Sequence, residues 1–337
     1  MQQLLEPIRL ARFRFHLEAI TPLQLPPYKG STFRGAFGIT LKDVVCVQRQ
    51  LDRCQPCLLR MTCVYPYLFE TPNFKPDASL LPPDGQAPQP FVLEPPLEET
   101  TRYEPGELLS FDIVLIGKAL DYLPYVIFVF SEIGRKGVGK GRGRYRVRAV
   151  MVGGGRVEEW ENGRMGEELI YDGATQMIHD PPIGYDRIHL DVDTIPGDKL
   201  ALRFLTPTRM KEQGQFLRQP TFAQLIKHLL IRVSLLATYH CDITLDLDFK
   251  SLIAESQSIR TSESRMHWHD WERYSNRQQQ KLPMHGMVGT ISFAGNLAVF
   301  LPLLRMGEYI HLGAGTAFGL GRYRLHSTPV MPPSPRC

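Results

Sequence analysis

The sequence has no hydrophobic run as long as the roughly 18–20 residues that a membrane-spanning helix needs. Its first residues, MQQLLEPIRLARF, lack the basic and then apolar pattern of a secretory signal peptide. We therefore expect a cytoplasmic protein without a membrane partner. In that compartment thiols are kept reduced, so the six cysteines are not expected to form a disulfide framework.

Several familiar kinds of catalytic site are also missing. There is no Walker A loop, and the glycine-rich stretches do not stand between a strand and a helix as in a dinucleotide site. No pair of carboxylates is evident for acid–base work. The net charge is only +4, from 39 Lys and Arg against 35 Asp and Glu, so what matters is where the charge is concentrated.

Two glycine-rich stretches stand about half a chain apart. Gly134–Arg148 (GRKGVGKGRGRYRVR) holds seven Lys or Arg and no acid, and His311–Arg324 (HLGAGTAFGLGRYR) holds four glycines. Both contain Gly-Arg-Tyr-Arg, which indicates a duplicated unit. Glycine lets a ligand approach the main chain, and N–H donors beside arginine suit phosphate. The simpler alternatives are a solvated basic turn for the first stretch and a tight turn for the second.

The hydrophobic pattern predicts the order βαββαβ twice. The predicted elements of the first unit are strand Leu10–Ile20, helix Ser31–Val45, strands Phe91–Leu93 and Leu108–Ile116, a helix through Phe130–Ile133 and strand Arg144–Val152. Those of the second are strand Leu200–Leu205, helix Thr221–Tyr239, a polar segment Asp248–Lys281 whose end pairs with strand Met287–Phe293, a helix to about Arg305 and strand Gly321–His326. Ser31, Asp121 and Asn296 are expected to cap the helices that follow them.

This order predicts an α+β protein of two tandem ferredoxin-like (RRM-like) βαββαβ domains, each with a glycine-rich loop before its last strand. We place the N-terminal domain, with a cysteine-containing loop, at residues 1–152 and the C-terminal domain at 199–328. Residues 153–198 are expected to form a hairpin extension and linker. The fold alone does not define a function.

Four motifs together resemble one family: HLGAGTAFGLGRY, STFRGAFG with the cysteines after it, TPTR before the long helix, and the tandem ferredoxin-like layout. The family is the precursor-CRISPR-RNA processing endoribonucleases of the RAMP (repeat-associated mysterious protein) superfamily. The resemblance implies binding of CRISPR repeat RNA and cleavage without a metal ion. In that reaction the ribose 2′-hydroxyl attacks the adjacent phosphate and leaves a 2′,3′-cyclic phosphate and a 5′-hydroxyl.

The catalytic residues are the point at which the sequence departs from the family. Many members use a histidine in or near the first helix, but there is none between Leu23 and Val64. The candidates that remain are Tyr28 as a hydroxyl acid or base, with Lys29 and Lys42 as charge stabilisers. The alternative is a catalytically silent RAMP subunit that binds or scaffolds guide RNA with other CRISPR effector subunits. A general RNA-binding protein unrelated to CRISPR is a weaker alternative.

Phosphate contacts are expected from main-chain N–H groups and arginines of the two glycine-rich stretches. The predicted RNA-binding residues are Arg34, Arg135, Lys136, Lys140, Arg142, Arg144, His311, Gly313, Gly315, Gly319, Gly321 and Arg322. Tyr145 and Tyr323 follow the two loops, and packing is favoured over base stacking for both. Trp268, Trp271 and Tyr274 with Arg265, Arg273 and Arg277 form either an aromatic–basic RNA surface or a plain hydrophobic hairpin face.

The cysteines Cys46, Cys54, Cys57 and Cys63 form a C-x-x-C core with a further thiol on each side. Four thiolates suit a tetrahedral structural zinc site, which is the favoured interpretation. An iron–sulfur cluster also takes four thiolates, and four unligated reduced cysteines are the third alternative. No cofactor is expected in catalysis. His267 and His269 alternate on one strand face and, with His285, are taken first as surface residues.

Overall fold

The computed structural model describes residues 1–73, 75, 81, 86–153, 167–188, 190, 197–275 and 280–327, with side chains except at 273–275 and 280–283. The chain divides into two compact units. The N-terminal unit comprises residues 8–189 and 235–244; the C-terminal unit comprises residues 1–7, 190–234 and 245–337. Residues 1–7 and 235–244 thus belong to the unit opposite to the one that their sequence position predicts. Among the described residues no helix is both long and apolar enough to cross a membrane.

Helices and strands alternate along the chain much as the hydrophobic pattern predicts. In order they are α1 (Gln2–Leu5), β1 (Leu10–Ala19), β2 (Leu23–Gln24), α2 (Gly30–Val45), β3 (Phe91–Glu94), β4 (Arg102–Tyr103), β5 (Leu108–Ile116), α3 (Leu123–Lys136), β6 (Tyr145–Val152), β7 (Glu168–Asp172), β8 (Met177–Ile178), β9 (Lys199–Thr208), β10 (Lys211–Glu212), β11 (Gln215–Phe216), α4 (Phe222–His240), α5 (Phe249–Ser256), β12 (Arg260–His269), β13 (Glu272–Ser275), β14 (Gln280–Pro283), β15 (Gly286–Ala294), α6 (Leu301–Ile310) and β16 (Tyr323–His326).

The N-terminal unit is built on an antiparallel sheet with the strand order β3-β5-β1-β6-β7-β8. Its first four strands have the order of a ferredoxin-like βαββαβ unit. The hairpin β7–β8, which falls in the predicted extension, lengthens this sheet by two strands. Aromatic rings of α2, β5 and α3 pack together, since Phe33 lies 5.0 Å from Phe111 and Phe111 lies 4.7 Å from Phe130 between ring centroids. Both helices therefore bury their apolar side against the sheet.

The C-terminal unit repeats the arrangement with the antiparallel strand order β12-β15-β9-β16. Here α4 packs through Phe222, whose ring centroid lies 5.0 Å from that of Phe293 on β15. Tyr323 of β16 donates its hydroxyl to the Leu304 carbonyl of α6 at 2.6 Å. The predicted fold class, two tandem ferredoxin-like units, is confirmed.

The three predicted side-chain caps are wrong. Helix α2 begins at Gly30, so Ser31 lies inside its first turn, and Lys29 precedes the helix without a capping side chain. Helices α3 and α6 each follow a short 3-10 turn, Gly117–Tyr122 and Ala298–Phe300, and neither has a side-chain cap. Continuity with a preceding turn supplies the backbone geometry that a capping residue supplies elsewhere.

The segment predicted as polar connection also holds regular structure. Residues 248–281 include α5 and β12, an edge strand that pairs only with β15 among the described residues and whose side chains are mostly exposed. The predicted pairing with β15 is confirmed for Met266–His269. Beyond it, β13 pairs with β14 instead.

Candidate nucleic-acid interface

The C-terminal glycine loop connects α6 to β16 and depends on its four glycines. Gly313, Gly315, Gly319 and Gly321 all have positive φ, at 84°, 84°, 85° and 76°. A Cβ at Gly321 would lie 1.9 Å from the Leu312 carbonyl oxygen. The glycines are therefore required by the backbone path itself, whatever the loop binds.

The motif TPTR, at Thr206–Arg209, holds this loop in place. The Arg209 carbonyl accepts the Ala314 N–H at 2.9 Å, and the Pro207 carbonyl accepts the Gly321 N–H at 3.1 Å. The half-buried Arg232 guanidinium donates to the Ile310 carbonyl at 2.8 Å and to the Thr316 hydroxyl at 2.8 Å. Burial lowers the pKa of Arg232 to about 10. The sequence marks TPTR as a family motif before the long helix, but it does not show the contact with this loop, which lies about a hundred residues away.

Part of the loop is left able to bind a ligand. Ala314 is exposed, and Gly313 and Gly315 are half-buried. Among the described residues, the amide N–H groups of Gly313 and Gly315 donate to no other protein atom. Backbone N–H groups in such positive-φ turns form concave sites that favour anions. The arrangement is suited to a phosphate group at the tip of the loop.

Four predicted RNA-binding residues of the loop are buried. His311 is fully buried, and its Nδ1 lies 3.1 Å from the Leu320 carbonyl oxygen. Arg322 is also buried, while its N–H donates to the Thr206 hydroxyl at 2.9 Å. Gly319 and Gly321 are buried as well. This burial argues against the predicted RNA contacts of all four residues and assigns them to loop structure.

The first glycine loop follows α3 and lies against the chain segment that leads to α2. The Lys140 N–H donates to the Gln24 carbonyl at 2.9 Å, and the Arg144 N–H donates to the Thr21 hydroxyl at 2.8 Å. A Cβ at Gly139 would lie 2.2 Å from the Gln24 carbonyl oxygen. Glycine is needed here for this close approach. The sequence did not show which segment the loop would contact.

The seven cations of the first stretch differ in their partners. Arg135 pairs with Glu132 at 2.8 Å and Lys136 with Asp43 at 3.1 Å. Arg146 and Arg148 share Glu18, at 2.8 and 3.8 Å. The side chains of Lys140, Arg142 and Arg144 are exposed and have no ion-pair partner among the described residues. These three cations, which we call the loop cations, are the ones left for phosphate.

The start of α2 places the predicted catalytic lysines differently from expectation. Lys29 is fully buried, and its ammonium donates to the carbonyls of Pro27 at 3.1 Å and Glu98 at 3.0 Å. Burial lowers the pKa of Lys29. Its burial argues against direct stabilisation of a reacting phosphate. The two carbonyl contacts instead indicate that Lys29 anchors the chain segment that leads to α2.

The other candidates near this helix are more accessible. Tyr28 is half-buried. Lys42 donates to the Asp52 carbonyl at 2.9 Å, one helix length away from Tyr28 along α2. Arg34 is half-buried and lies over the Phe69 ring at 4.9 Å. The structure therefore does not gather Tyr28, Lys29 and Lys42 at one point.

The four clustered cysteines line one small cavity next to the end of α2. Its lining includes Cys46, Cys54, Cys57 and Cys63. The C-x-x-C core forms a tight turn in which the Cys57 N–H donates to the Cys54 carbonyl at 3.0 Å. Burial raises the pKa of the Cys54 thiol to about 11. Among the described residues no three His, Cys, Asp or Glu side chains are arranged to hold a metal ion, so zinc stays a prediction.

Metal analysis tests the zinc prediction. If the four cysteine thiolates coordinate zinc, purified protein contains about one zinc ion per chain. The double variant Cys54→Ser/Cys57→Ser then loses the metal and unfolds at a lower temperature, because metal binding contributes to folding. Cys241→Ser, outside this cavity, keeps the metal. Visible absorption of protein purified without oxygen would indicate an iron–sulfur cluster instead, and metal-free protein would mean four reduced thiols.

The aromatic residues behind the two loops are structural. Tyr145 and Tyr323 are buried and donate their hydroxyls to the carbonyls of Phe130 and Leu304 at 2.8 and 2.6 Å. The favoured packing interpretation fits this geometry. On β12, His267 and His269 are exposed on the face opposite to Trp268. The side chains of Arg273 and Tyr274, and the whole of Arg277, lie outside the described residues.

Comparison with known proteins finds two matching family models and solved structures with a similar fold. Residues 7–183 match the AF_1859_N family of N-terminal domains, and residues 202–323 match the CRISPR-associated endoribonuclease Cas6 family. An uncharacterized protein of Archaeoglobus fulgidus is 25% identical over 310 residues, covering 90% of this chain and 93% of the relative. A solved Cas6 product complex is 15% identical with a TM-score of 0.52, covering 94% of this chain and 98% of that one. Thermus thermophilus Cas6 is also 15% identical, with a TM-score of 0.50 and coverage of 95% and 99%.

Fold and matches together define a protein of two tandem ferredoxin-like units. The AF_1859_N model spans more than half of the chain, and the Cas6 model covers most of the C-terminal unit, including its glycine loop. The chain belongs to the AF_1859_N family through residues 7–183, and its C-terminal unit matches the Cas6 family model. Together these matches support a CRISPR-associated Cas6/RAMP protein with a part in CRISPR-associated RNA processing.

Proposed function

We propose that this protein binds precursor CRISPR repeat RNA and cleaves it without a metal ion. The 2′-hydroxyl of the nucleotide before the cut attacks the adjacent phosphorus. The bond to the 5′-oxygen breaks, which leaves a 2′,3′-cyclic phosphate and a 5′-hydroxyl. The reaction needs a group to take the 2′-hydroxyl proton, a group to return a proton to the 5′-oxygen, and donors for the phosphorane charge.

One observation carries the proposal: the Cas6 family match includes the glycine loop, where the N–H groups of Gly313 and Gly315 donate to no other atom of the described residues. The loop cations Lys140, Arg142 and Arg144 add exposed positive charge on the N-terminal unit. Backbone N–H donors and exposed, unpaired cations are the groups that bind a phosphate chain with little dependence on base sequence.

Tyr28 is the residue to which we assign acid–base work. It precedes α2, and it is the one predicted catalytic side chain that is neither fully buried nor placed at the far end of that helix. Lys29 then positions this segment through its two carbonyl contacts. Lys42, beside the cysteine cavity, is assigned to local structure.

The second candidate function is a silent subunit that binds RNA within a CRISPR effector complex. The specific observation in its favour is that no histidine stands between Leu23 and Val64, while the nearest lysine, Lys29, is buried. A neighbour of similar fold occurs in a partial Cas6-RT-Cas1–Cas2 complex, with a TM-score of 0.52, 11% identity and coverage of 95% of this chain and 46% of that one. Other CRISPR proteins are therefore the partners to test.

Cleavage of end-labelled repeat RNA in excess chelator distinguishes the two functions. We expect a single cut, no cut when the scissile 2′-hydroxyl is replaced by hydrogen, and a cyclic phosphate on the product. Tyr28→Phe should slow the cut by about 10²-fold or more while RNA affinity stays unchanged. Tight binding without any cut would instead establish the silent subunit, and a cut that needs added metal would contradict the mechanism.

A further inference from the structure

Three aromatic rings meet on the C-terminal unit outside the glycine loop. The centroid of Phe216 lies 5.7 Å from that of Trp268 and 5.1 Å from that of His285, and Trp268 and His285 are 5.2 Å apart. All three side chains are half-buried, so each ring keeps part of its surface in solvent. We call these three residues the ring cluster.

Three cationic side chains cover the ring cluster. The Lys211 ammonium lies 4.5 Å from the Phe216 centroid, and the Arg209 guanidinium carbon lies 5.5 Å from it. The Arg218 guanidinium carbon lies 4.8 Å from the Trp268 centroid. Such contacts stabilise a cation over an aromatic face.

Acidic side chains near the ring cluster are already engaged. Glu212 pairs with Lys227 at 3.0 Å, and Asp270 accepts the Trp268 indole N–H at 3.0 Å. Neither Lys211 nor Arg218 has an ion-pair partner among the described residues. The surface therefore combines partly exposed aromatic rings with two cations, Lys211 and Arg218, that form no ion pair among the described residues.

A short hairpin and the end of the sheet fix this arrangement. Lys211 and Phe216 face each other across β10–β11, whose turn has positive φ at Gln213 and Gly214. Trp268 pairs with Met287 at the end of β12, next to His285. The cluster is thus built from strand ends, which hold the rings in defined positions.

Arg209 connects the ring cluster to the glycine loop. Its guanidinium lies over Phe216, while its carbonyl accepts the Ala314 N–H at 2.9 Å. A polynucleotide with a phosphate at the loop tip would thus have aromatic rings beside it. Half-buried aromatics interleaved with cations are the pattern by which proteins stack single-stranded bases and hold their phosphates.

We propose that the ring cluster is a stacking site for an unpaired RNA nucleotide. A base stacks on Trp268 or Phe216, and Arg218 or Lys211 moves from the ring to a phosphate of the same strand. Stacking of a base on an aromatic ring is worth more than an exposed cation–π contact, so the exchange is favourable. The inference rests on the proposed function insofar as the ligand is RNA, but it does not require cleavage.

The probe is a single-stranded oligouridylate of about ten nucleotides, compared with an abasic ribose–phosphate strand of equal length. Titration of the full chain gives both dissociation constants at several salt concentrations. We expect Trp268→Leu to weaken oligouridylate binding about 10-fold and to leave abasic-strand binding and the salt dependence unchanged. Trp268→Phe should restore most of the affinity. Arg218→Ala should lower the affinity for both strands and make that affinity less dependent on salt concentration.

Phe128→Leu is the control, since Phe128 of α3 is an exposed aromatic residue outside the ring cluster. It should bind both strands as the unchanged protein does. Equal affinities of Trp268→Leu and the unchanged protein for oligouridylate would overturn the proposal. So would equal losses for both strands, or an effect confined to binding of a protein partner. If Trp268→Leu weakens oligouridylate binding but repeat RNA is not cleaved, this inference is supported and only the proposed cleavage is contradicted. If repeat RNA is cleaved but Trp268→Leu binds oligouridylate normally, the proposed cleavage is supported and this inference is contradicted.

Discussion

We expect Gly321→Ala to destabilise the C-terminal unit by about 3–5 kcal/mol, the sum of a strained positive φ and a steric clash. The added Cβ would lie 1.9 Å from the Leu312 carbonyl oxygen, a backbone atom that cannot move without breaking the loop. The N–H of Gly321 would also lose its 3.1 Å bond to the Pro207 carbonyl if the loop shifted. Thermal unfolding and RNA affinity measure the two consequences. The midpoint should fall by about 10 °C, and RNA binding should weaken with it.

The matched control is Gly141→Ala in the first loop. Gly141 also has positive φ, at 78°, but a Cβ there would meet no heavy atom within 4 Å. This substitution should cost only the backbone strain, about 1–2 kcal/mol. Equal effects of the two substitutions would show that strain alone, and not the close approach to Leu312, sets the requirement for glycine.

Replacing all three loop cations by alanine should weaken RNA binding by about 100-fold at 0.1 M salt. Lys140, Arg142 and Arg144 have no competing ion pair among the described residues, so each is available to release a counterion from RNA. The slope of the logarithm of affinity against the logarithm of salt concentration should fall by about 2 to 3. Stability should change little, because the side chains are exposed.

Arg135→Ala with Lys136→Ala is the control for this variant. Both cations lie on the same stretch of chain, but they pair with Glu132 and Asp43. Their removal should weaken binding less than about 5-fold for that reason. If both variants lost affinity equally, general charge would account for binding; if the triple variant bound normally, the first loop would not contact RNA.

Hydrophobic periodicity made much of the fold predictable from the sequence. Strand β5 is predicted and observed at Leu108–Ile116, while α2 differs from prediction by one residue at its start and α4 by one residue at each end. The two helices bury one side, and β5 is buried on both faces over most of its length, so the local pattern of each element matches its final environment. Only Met266–His269 of β12 is predicted, because most side chains of this strand are exposed and so carry no apolar alternation.

The candidate site was predictable only as a set of residue types. Glycine at Gly313 and Gly321 and the cations of the first loop could be recognised, since conformational freedom and charge belong to the residues themselves. The sequence could not show which of these residues face solvent. Lys29 is buried because its ammonium meets the carbonyl of Glu98, and His311 because it meets that of Leu320.

The sequence by itself determined the order of elements, the two glycine loops and the family motifs, because these depend on neighbours along the chain. Only the tertiary structure decided which cations are free and which rings meet. Arg209, Phe216 and Trp268 are brought together by the ends of separate strands. Burial and pairing are set by such long-range contacts, and a local pattern of residues does not encode them one by one.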